Sequence, residues 1–425
     1  MSEILVIGAG PAGMMAAIKA AENGASVTLL EKMRVPGRKM MITGKGRCNL
    51  TNAADISEII RNIHGNGAFL NSAIRRFTNE DVCAFFEAQG VATKVERGMR
   101  VFPVSDKAQD AVDAMVYRIN ELGVHLETDT GVRHILVQDG RASGVQTASG
   151  KIFHADAVIV ATGGASYPKT GSTGDGCRMA AELGHTIVPL RPSLVPLETE
   201  EEWVRDVMGL SLRNVRVTLL VDGKREAEEF GEMMFTHFGV TGPIILSLSR
   251  TAADFLDDGH AVELVLNLKP ALTPEKLEAR IMRDFESYKR KTLKNALVDL
   301  LPHKLIEPVL DCAYLSPEKP VHQVTAQERR RLVETLQEVV LTVTRTRPLA
   351  EAIVTAGGVS VKEIDPKTME SKRVAGLYFV GEVVDVDAYT GGYNLQAAFS
   401  MGCAAGCWSA WTSEKQAGLS ERKSE

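Results

Sequence analysis

The sequence predicts an α/β fold in which a parallel-sheet domain is interrupted by a mainly antiparallel insert. Three observations support this prediction. An apolar strand at residues 4–7 runs into a glycine-rich turn and a helical segment. Apolar strand segments that end in small-residue turns come again at residues 158–164 and 376–382. Between them, residues 213–221 and 261–268 alternate apolar and polar side chains, which is typical of strands with one buried face.

The first turn is a complete G-x-G-x-x-G sequence, the fingerprint of a Rossmann-like dinucleotide-binding domain. In such a turn the first glycine permits the tight turn, and the second lets the backbone approach a pyrophosphate. The third lets the helix pack closely on the strand. The helix predicted at residues 12–23 would direct its free N–H groups and positive dipole end at the phosphates. The predicted pyrophosphate ligands are Gly8, Gly10, Pro11, Ala12 and Gly13.

An acidic residue, Glu31, ends the second apolar strand, at residues 27–30. It lies about 20 residues after the turn, where a carboxylate can accept hydrogen bonds from both ribose hydroxyls of a dinucleotide. A negative charge at this position also disfavours a 2′-phosphate. Because the strand, the helix and the acid all accompany the glycines, we predict a functional dinucleotide site.

The later strands favour FAD over NAD as that dinucleotide. The strand at residues 377–380 runs into a Gly-acid turn, which suits a flexible polyol such as the ribityl chain. The segment 391–396 opens a helix of small residues at 397–411, whose N-terminus can face the flavin carbonyls. A nicotinamide-only dehydrogenase has no need for this C-terminal return to the first domain. The predicted FAD ligands in these segments are Thr162, Gly163, Gly381, Glu382, Asp385, Gly392, Asn394 and Leu395.

A basic loop follows Glu31, because residues 32–47 contain six Lys or Arg residues and no acid. One interpretation is that the loop faces the FAD pyrophosphate. The other is that it forms a rim for a polyanion beside the flavin, since clustered Lys and Arg supply most non-specific affinity for nucleic acid. With a formal net charge of −5, any RNA contact must be local. The predicted cofactor ligands in this region are Lys32, Arg38, Lys39, Gly46, Arg47 and Asn49.

Three residues are candidates for catalysis. Cys48 is a candidate proton donor for the reduction of a C=C bond, with Arg47 expected to lower its pKa or hold an anion; the alternative is a packed thiol. His237, between Phe235 and Phe238, is either an acid beside a pocket or a hydrogen-bonded structural histidine. Tyr393 is expected to close over the flavin or donate to the substrate, and when buried its hydroxyl needs a partner.

The same signals divide the chain into segments. Residues 1–190 alternate strands and helices, and an antiparallel sheet or barrel, the predicted substrate domain, occupies 191–269 and 338–351. Thr273 before Pro274, and a capping box formed by Thr325 and Glu328, predict a helical insert at 270–337. The first domain resumes at 352–412, and 413–425 is a polar tail.

Composition limits the class of protein and the cellular compartment that we expect. The chain has 425 residues, 44% of them apolar and 24% charged, which predicts a multidomain globular protein. The N-terminus does not resemble a signal peptide, and the six cysteines contain no C-x-x-C pair, so we expect a reducing cytoplasm and neither zinc nor disulfides. The apolar stretch at 395–411 is better explained as a buried helix than as a membrane span. Neither DNA nor a membrane is expected as a partner.

Several segments together resemble the bacterial YhiN/BaiN-like NAD(P)/FAD-dependent oxidoreductases. They are GAGPAG at 8–13, GKGRCNLTN at 44–52, ATGG at 161–164, GEMMFTHFGVTGP at 231–243, TAGGV at 355–359 and GEVVDVDAYTGGYNLQ at 381–396. The resemblance runs from about residue 2 to residue 411. It implies a Rossmann-like FAD-binding domain with an inserted β-barrel-like domain that carries a helical insert. It also implies redox chemistry linked to NAD(P)H or oxygen.

Members of that family differ in substrate. They are linked to reduction of a uridine of large-subunit ribosomal RNA to dihydrouridine, to reduction of steroid enones, and to oxidation of a small amino-ketone. The resemblance and the basic loop favour a uracil base of ribosomal RNA; the alternatives are a small-molecule enone reductase, an amino-ketone oxidase, or a flavin redox sensor without enzymatic activity. No second fingerprint occurs between 165 and 350, and the glycine-rich stretch 171–176 is predicted to be a loop near FAD. NAD(P)H is therefore expected to bind only transiently.

Overall fold

The computed structural model describes the backbone of residues 1–421 and the side chains of residues 1–411. It divides the chain into two compact units, one formed by residues 1–191 together with those from 349 onward, and the other by residues 192–348. The predicted boundaries, at 190/191 and 351/352, lie one and three residues from these. The polar tail predicted from 413 belongs to the last helix as far as Glu421, and residues 422–425 lie outside the described residues.

The first segment of the first unit alternates strands and helices around a glycine-rich start. Its strands are β1 (Glu3–Ile7), β2 (Ser26–Leu30), β3 (Thr51–Asn52), β4 (Ile63–His64), β5 (Thr93–Glu96), β6 (Arg100–Pro103), β7 (His125–Glu127), β8 (Val132–Gln138), β9 (Arg141–Thr147), β10 (Ile152–His154), β11 (Ala157–Val160) and β12 (Ile187–Ser193). Its helices are α1 (Pro11–Glu22), α2 (Arg38–Ile42), α3 (Ile56–Arg61), α4 (Asn71–Arg76), α5 (Asn79–Ala88), α6 (Ala108–Glu121) and α7 (Asp175–Glu182).

The second unit and the C-terminal return supply the remaining elements. The second unit contains β13 (Leu197–Thr199), β14 (Ser211–Val221), β15 (Lys224–Phe235), β16 (Gly239–Thr241), β17 (Val262–Asn267) and β18 (Val339–Thr346), with helices α8 (Pro243–Asp257), α9 (Pro274–Ser287), α10 (Leu293–Ala296), α11 (His303–Cys312) and α12 (Ala326–Gln337). The return contains β19 (Val354–Val359), β20 (Leu377–Phe379), β21 (Asp387–Ala388) and α13 (Tyr393–Glu421).

A five-stranded parallel sheet organises the first unit, with strand order β20-β11-β1-β2-β7. Its central strands are apolar and buried on both faces, as parallel strands covered by helices must be. Helix α13 packs on α1 so closely that a Cβ at Gly402 would lie 2.3 Å from the Ala12 carbonyl oxygen, and one at Gly406 would lie 2.4 Å from that of Ala16. The small residues of α13 therefore serve helix packing. Within the described residues, no helix combines the length and apolar character needed to cross a membrane.

The second unit contains a closed six-stranded barrel, in the order β13-β16-β15-β14-β17-β18. This confirms the predicted β-barrel-like insert. Helices α9 to α12 lie between β17 and β18, and both predicted caps are present: Thr273 accepts a hydrogen bond from the Lys276 N–H, and Thr325 and Glu328 form a capping box. Helix α8 was not predicted, although Ile244, Ile245 and Leu248 have helical spacing and are buried.

Candidate cofactor site

The carboxyl edge of the parallel sheet brings together predicted cofactor ligands from four separate stretches of sequence. Ile7 at the end of β1 lies beside Leu30 on one side and Val160 on the other, and Val160 lies beside Phe379. The next residues along each strand are the fingerprint turn, Glu31, the ATGG turn and the turn at Gly381. Ligands of doubly wound sheets bind outside this edge, so the topology gathers these segments where a dinucleotide would lie.

The three fingerprint glycines have different structural roles. Gly8 has φ +101°, and a Cβ there would lie 2.6 Å from the Ala161 carbonyl oxygen. A Cβ at Gly13 would lie 1.9 Å from the Gly8 carbonyl oxygen, so both positions require glycine for internal packing. Gly10 has φ −80°, and a Cβ built on it meets no atom within 4 Å. The backbone at Gly10 therefore faces open space at the N-terminus of α1, which is where a pyrophosphate would need room.

Glu31 is held by two backbone donors. Its Oε2 accepts a hydrogen bond from the Ala9 N–H at 2.7 Å, and its Oε1 accepts one from the Met33 N–H at 2.8 Å. Burial raises the pKa of this carboxyl, and the two backbone hydrogen bonds oppose that effect. Each oxygen keeps acceptor capacity for a ribose hydroxyl. The carboxylate is thus fixed against the fingerprint turn, and its contact with a ribose stays a prediction.

Lys39 and Glu382 form a partly buried clamp that joins three segments. The Lys39 ammonium donates to both Glu382 carboxylate oxygens, at 2.8 and 2.6 Å, and to Ser166 Oγ at 2.6 Å. Glu382 Oε1 also accepts hydrogen bonds from Ser166 Oγ at 2.9 Å and from the Thr355 N–H at 2.8 Å. Burial alone would raise the Glu382 pKa, but Lys39 and the Thr355 contacts lower it below its usual value. Glu382 therefore holds Lys39, Ser166 and Thr355, which come from separate segments, together at the edge of the site.

Two other basic residues of the predicted ligand set are bound to acids of the chain itself. Lys32 Nζ donates to Asp175 at 2.6 Å and to Thr173 at 2.6 Å, which fastens the glycine-rich stretch 171–174. The same stretch was predicted to be a loop as far as 176, but α7 begins at Asp175. The Arg47 guanidinium binds Glu96 at 2.9 Å and lies 4.1 Å from the Phe102 ring centroid. Lys32 and Arg47 thus organise loops, and a contact with phosphate stays a prediction.

The remaining residues of the basic loop are compatible with an anionic ligand. Arg38 and Lys45 form no ion pair within the described residues, and Lys45 is exposed. Asn49 Oδ1 is buried without a hydrogen-bond partner in the described part of the chain. Lys45 and Cys48 have φ +60° and +61°, left-handed conformations that cost energy for residues other than glycine and that often mark functional loops. With the open space at Gly10, these features fit an FAD site.

The C-terminal segment is fixed by hydrogen bonds within itself and by contacts with residues earlier in the chain. Asn394 Nδ2 donates to the Ala388 carbonyl at 2.7 Å, and its Oδ1 accepts from the Ala388 N–H at 2.9 Å. A Cβ at Gly392, which has φ +101°, would lie 2.3 Å from the Thr51 carbonyl oxygen. The Asp385 carboxylate accepts a hydrogen bond from Asn66 at 3.0 Å, and Leu395 packs against the core. These residues shape the turn that precedes α13.

Cys48 is completely buried, with 0% exposure in the main core of the first unit. Burial raises its pKa to about 12, opposed only by a hydrogen bond with Thr43. The prediction that Arg47 lowers this pKa is wrong, because Glu96 and Asp106 bind the guanidinium and desolvation dominates. The complete burial of this thiol favours the alternative of a packed side chain.

If the reaction is the predicted reduction of a C=C bond, a Cys48→Ala protein should perform it at nearly the wild-type rate, at a stability cost of about 1 kcal/mol. Reduction of the flavin by NAD(P)H and reoxidation of the flavin by substrate should be measured separately in stopped flow. A variant with normal flavin reduction but strongly slowed reoxidation would restore the proton-donor hypothesis.

His237 and Tyr393 are placed differently from each other. His237 is exposed on the turn between β15 and β16 in the second unit, where its ring lies 4.9 Å from that of Phe238. It makes no hydrogen bond in the described part of the chain, so the interpretation as a hydrogen-bonded structural histidine is wrong. Tyr393, in the first unit, is 8% exposed and lies against Gly391. Burial raises its pKa, so it stays protonated and able to donate.

Three hydrogen-bonded polar residues that contact the predicted segments were not themselves among the predicted ligands. Ser166 and Thr355 are both buried, and they bind the Lys39–Glu382 clamp directly. Gln396 links Thr51 to Phe77, because its Oε1 accepts from Thr51 at 2.5 Å and its Nε2 donates to the Phe77 carbonyl at 3.0 Å. Each is a small or polar residue inside an apolar or glycine-rich run. A polar residue in such a run has to be hydrogen-bonded, which was the available signal.

Comparison with known proteins agrees with this architecture. The family model for the HI0933-like protein Rossmann domain matches residues 2–408. The chain is 31% identical over 409 residues to a 3-dehydro-bile acid delta(4,6)-reductase of Clostridium scindens, covering 96% of this chain and 98% of that protein. It is 32% identical over 405 residues to a ribosomal RNA dihydrouridine synthase of Haemophilus influenzae, covering 94% and 96% of the two chains.

Among solved structures, the chain resembles the 3-ketosteroid delta1-dehydrogenase of Sterolibacterium denitrificans in complex with 1,4-androstadiene-3,17-dione. The TM-score is 0.52 at 14% identity, and the alignment covers 97% of this chain and 100% of that one. At this level of identity the likeness shows a shared fold.

Proposed function

The chain belongs to the family of HI0933-like proteins with a Rossmann domain, and we propose that this FAD-dependent oxidoreductase transfers hydride from NAD(P)H to an activated carbon–carbon double bond. The leading substrate is a uracil base of large-subunit ribosomal RNA, which would become dihydrouridine. The observation that carries the proposal is the sheet edge, where the open space at Gly10, the fixed Glu31 carboxylate and the Lys39–Glu382 clamp come together.

Different residues of the chain would bind the parts of FAD and donate the proton to the substrate. The N–H groups at the start of α1 would bind the pyrophosphate, and Glu31 would accept the ribose hydroxyls. Bound FAD would supply the hydride carrier. Reduction of a C=C bond also needs a proton on the second carbon, and Tyr393, whose pKa is raised by burial so that its hydroxyl stays protonated, is the donor that we favour in the first unit. Glu382 acts on the site through Lys39 rather than by proton transfer.

The activities for which the two relatives are named support the reaction class. A delta(4,6)-reductase and a dihydrouridine synthase both remove a carbon–carbon double bond from a ring. Such a reaction transfers hydride to one carbon and a proton to the other. The absence of a second G-x-G-x-x-G between residues 165 and 350 supports transient binding of NAD(P)H rather than a dedicated nucleotide domain.

The charge distribution around the basic loop favours an RNA substrate. The Arg47–Glu96 ion pair joins two segments of the chain. One segment carries the cation Lys45, and the other carries the cation Arg97. Arg97 and Lys45 are exposed, and neither has an acidic partner within the described residues. Unpaired cations on adjoining segments are suited to phosphate contacts.

The test is the salt dependence of binding to ribosomal RNA fragments. Neutralising Lys45 and Arg97 to Gln should weaken binding, and each lost phosphate contact should reduce the slope of log K against log salt by about one. Arg290→Gln and Lys291→Gln, in the helical insert, test a second basic segment in the same way. Turnover of a 3-keto steroid with a conjugated double bond should hardly change in these variants. Unchanged salt slopes would contradict an RNA substrate.

A small-molecule enone is the second candidate. It is favoured by the similarity to the delta(4,6)-reductase, which is 31% identical over 96% of this chain. Ile42, within the basic loop, and Met99 are 46% and 49% exposed and also offer apolar surface. If the purified enzyme reduces a steroid enone rapidly and binds RNA fragments negligibly at modest salt, this candidate replaces the RNA substrate.

A further inference from the structure

A polar pocket lies on the first unit, away from the carboxyl edge of the sheet, between α1 and α13. Its volume is about 360 Å³, and its lining includes both thiols of Cys403 and Cys407. Cys403 is 5% exposed and Cys407 is half-buried. None of the cofactor ligands described above lines this pocket, so the two thiols take no part in the proposed hydride transfer.

Close packing of the two helices brings cationic and polar groups of α1 to these thiols. A Cβ at Gly406 would lie 3.0 Å from Lys19 Cβ, so glycine is needed at that point for the helices to approach. The approach places Lys19 in the lining of the pocket, and Asn23 Nδ2 donates to Cys407 Sγ at 3.7 Å. Cys403 and Cys407 are four residues apart, which places their side chains on the same face of α13.

The charged groups around the pocket favour a thiolate at Cys407. Arg76 from α4 lies 5.4 Å from the Trp408 ring centroid and has no carboxylate partner within the described residues. Glu22 and Asp81 also line the pocket, but Glu22 is bound by Lys19 and Arg118, each at 2.8 Å, and Asp81 caps α5. The neighbouring Cys403 thiol lowers the Cys407 pKa; burial opposes this, and Arg76, Lys19 and Asn23 lower it further.

From this pocket, its two thiols and its cations, we infer that Cys407 is a modification site for hydrogen peroxide and that Cys403 is its resolving thiol. The Cys407 thiolate attacks one peroxide oxygen, an S–O bond forms as the O–O bond breaks, and the departing oxygen leaves as water after protonation. The Cys403 sulfur then attacks the sulfenic sulfur, an S–S bond forms, and a second water leaves. One hydrogen peroxide molecule, as the oxidant, thus converts two thiols into a disulfide.

The disulfide requires a local change in α13. Side chains four residues apart on a helix have Cβ atoms about 5–6 Å apart, whereas a disulfide needs about 3.5–4.5 Å. Gly406, directly before Cys407, is the residue that most easily accommodates the change. The disulfide should therefore form more slowly than the sulfenic acid, which makes the two steps separable.

The first test compares alkylation of cysteines in the folded holoenzyme. Cys312 is exposed and Cys407 is half-buried, so exposure alone predicts that Cys312 reacts first. With iodoacetamide at pH 7 we expect the reverse order, with Cys407 faster by about tenfold, measured by peptide mass spectrometry. Arg76→Gln should slow Cys407 alkylation, whereas Arg75→Gln should not, since Arg75 binds Asn71 instead of lining the pocket. Faster labelling of Cys312, or equal effects of the two substitutions, would overturn the inference.

The second test follows the product of hydrogen peroxide treatment. In the wild-type protein, the mass of the peptide that contains both cysteines should fall by that of two hydrogen atoms. Cys403→Ser should instead accumulate a Cys407 sulfenic acid that a dimedone-type reagent traps. Equal trapping in the wild-type and Cys403→Ser proteins would remove the resolving role of Cys403, and no trapping at Cys407 in either would remove the site.

Discussion

A Gly10→Val protein is expected to fold normally and to leave purification colourless, without FAD. Gly10 has φ −80° and open space at its Cβ position, so valine meets no steric barrier in the protein itself. The same side chain would occupy the space at the N-terminus of α1 that the pyrophosphate needs. Absorbance of the purified protein and FAD release on heat denaturation measure the effect, which should be a nearly complete loss of loading.

A matched control separates cofactor exclusion from general damage. Gly131 also lacks a positive φ, and a Cβ there meets only the Lys32 Cβ, at 3.5 Å. Gly131→Val should therefore keep FAD, while circular dichroism shows both variants folded. A folded Gly10→Val protein that retained stoichiometric FAD would place the pyrophosphate elsewhere.

Lys39→Met should destabilise the first unit by about 3 kcal/mol, because removal of one partner of a buried ion pair leaves the other charge uncompensated. The Lys39 and Glu382 side chains are each only 19% exposed, and Lys39 is the cation that binds the carboxylate. Urea denaturation measures the loss. Lys151→Met, which breaks the more exposed pair with Glu127, is the control and should cost at most about 1 kcal/mol.

Titration of Glu382 should change the free energy of unfolding of the Lys39→Met protein in the opposite direction to that of the wild type. In the wild type the folded pKa of Glu382 is lowered, so its contribution is present above the unfolded pKa and is lost as the pH falls through the folded pKa. Without Lys39, burial raises the folded pKa, and the deficit of the variant should shrink as the pH falls and Glu382 becomes protonated. Adding Glu382→Gln should recover part of the lost stability. A deficit independent of pH would show that Glu382 is not the group left unpaired.

Features determined by neighbouring residues were predictable from the sequence. The turn at Gly8–Gly13 and the Thr325–Glu328 capping box depend on residues a few positions apart, and the structure contains both. The alternation of apolar and polar residues in β14 likewise indicated the barrel. In each case the local pattern and the tertiary structure favour the same conformation.

Features determined by distant partners were not predictable. Lys39 lies 343 positions from Glu382, so the sequence indicated a cation and an acid without showing that they bind each other. Arg47 lies beside Cys48 in sequence, but Glu96 and Asp106 bind its guanidinium, and burial sets the thiol pKa. The role of a charged residue in this chain depends on contacts that only folding creates.

The central claim is tested most directly by mass spectrometry of ribosomal RNA nucleosides from cells that lack this protein. The account predicts that dihydrouridine is lost from large-subunit ribosomal RNA. It should return when the wild-type gene is supplied and stay absent when the Gly10→Val gene is supplied. Dihydrouridine at the same level in cells with and without the protein would contradict the account and leave the small-molecule enone as substrate.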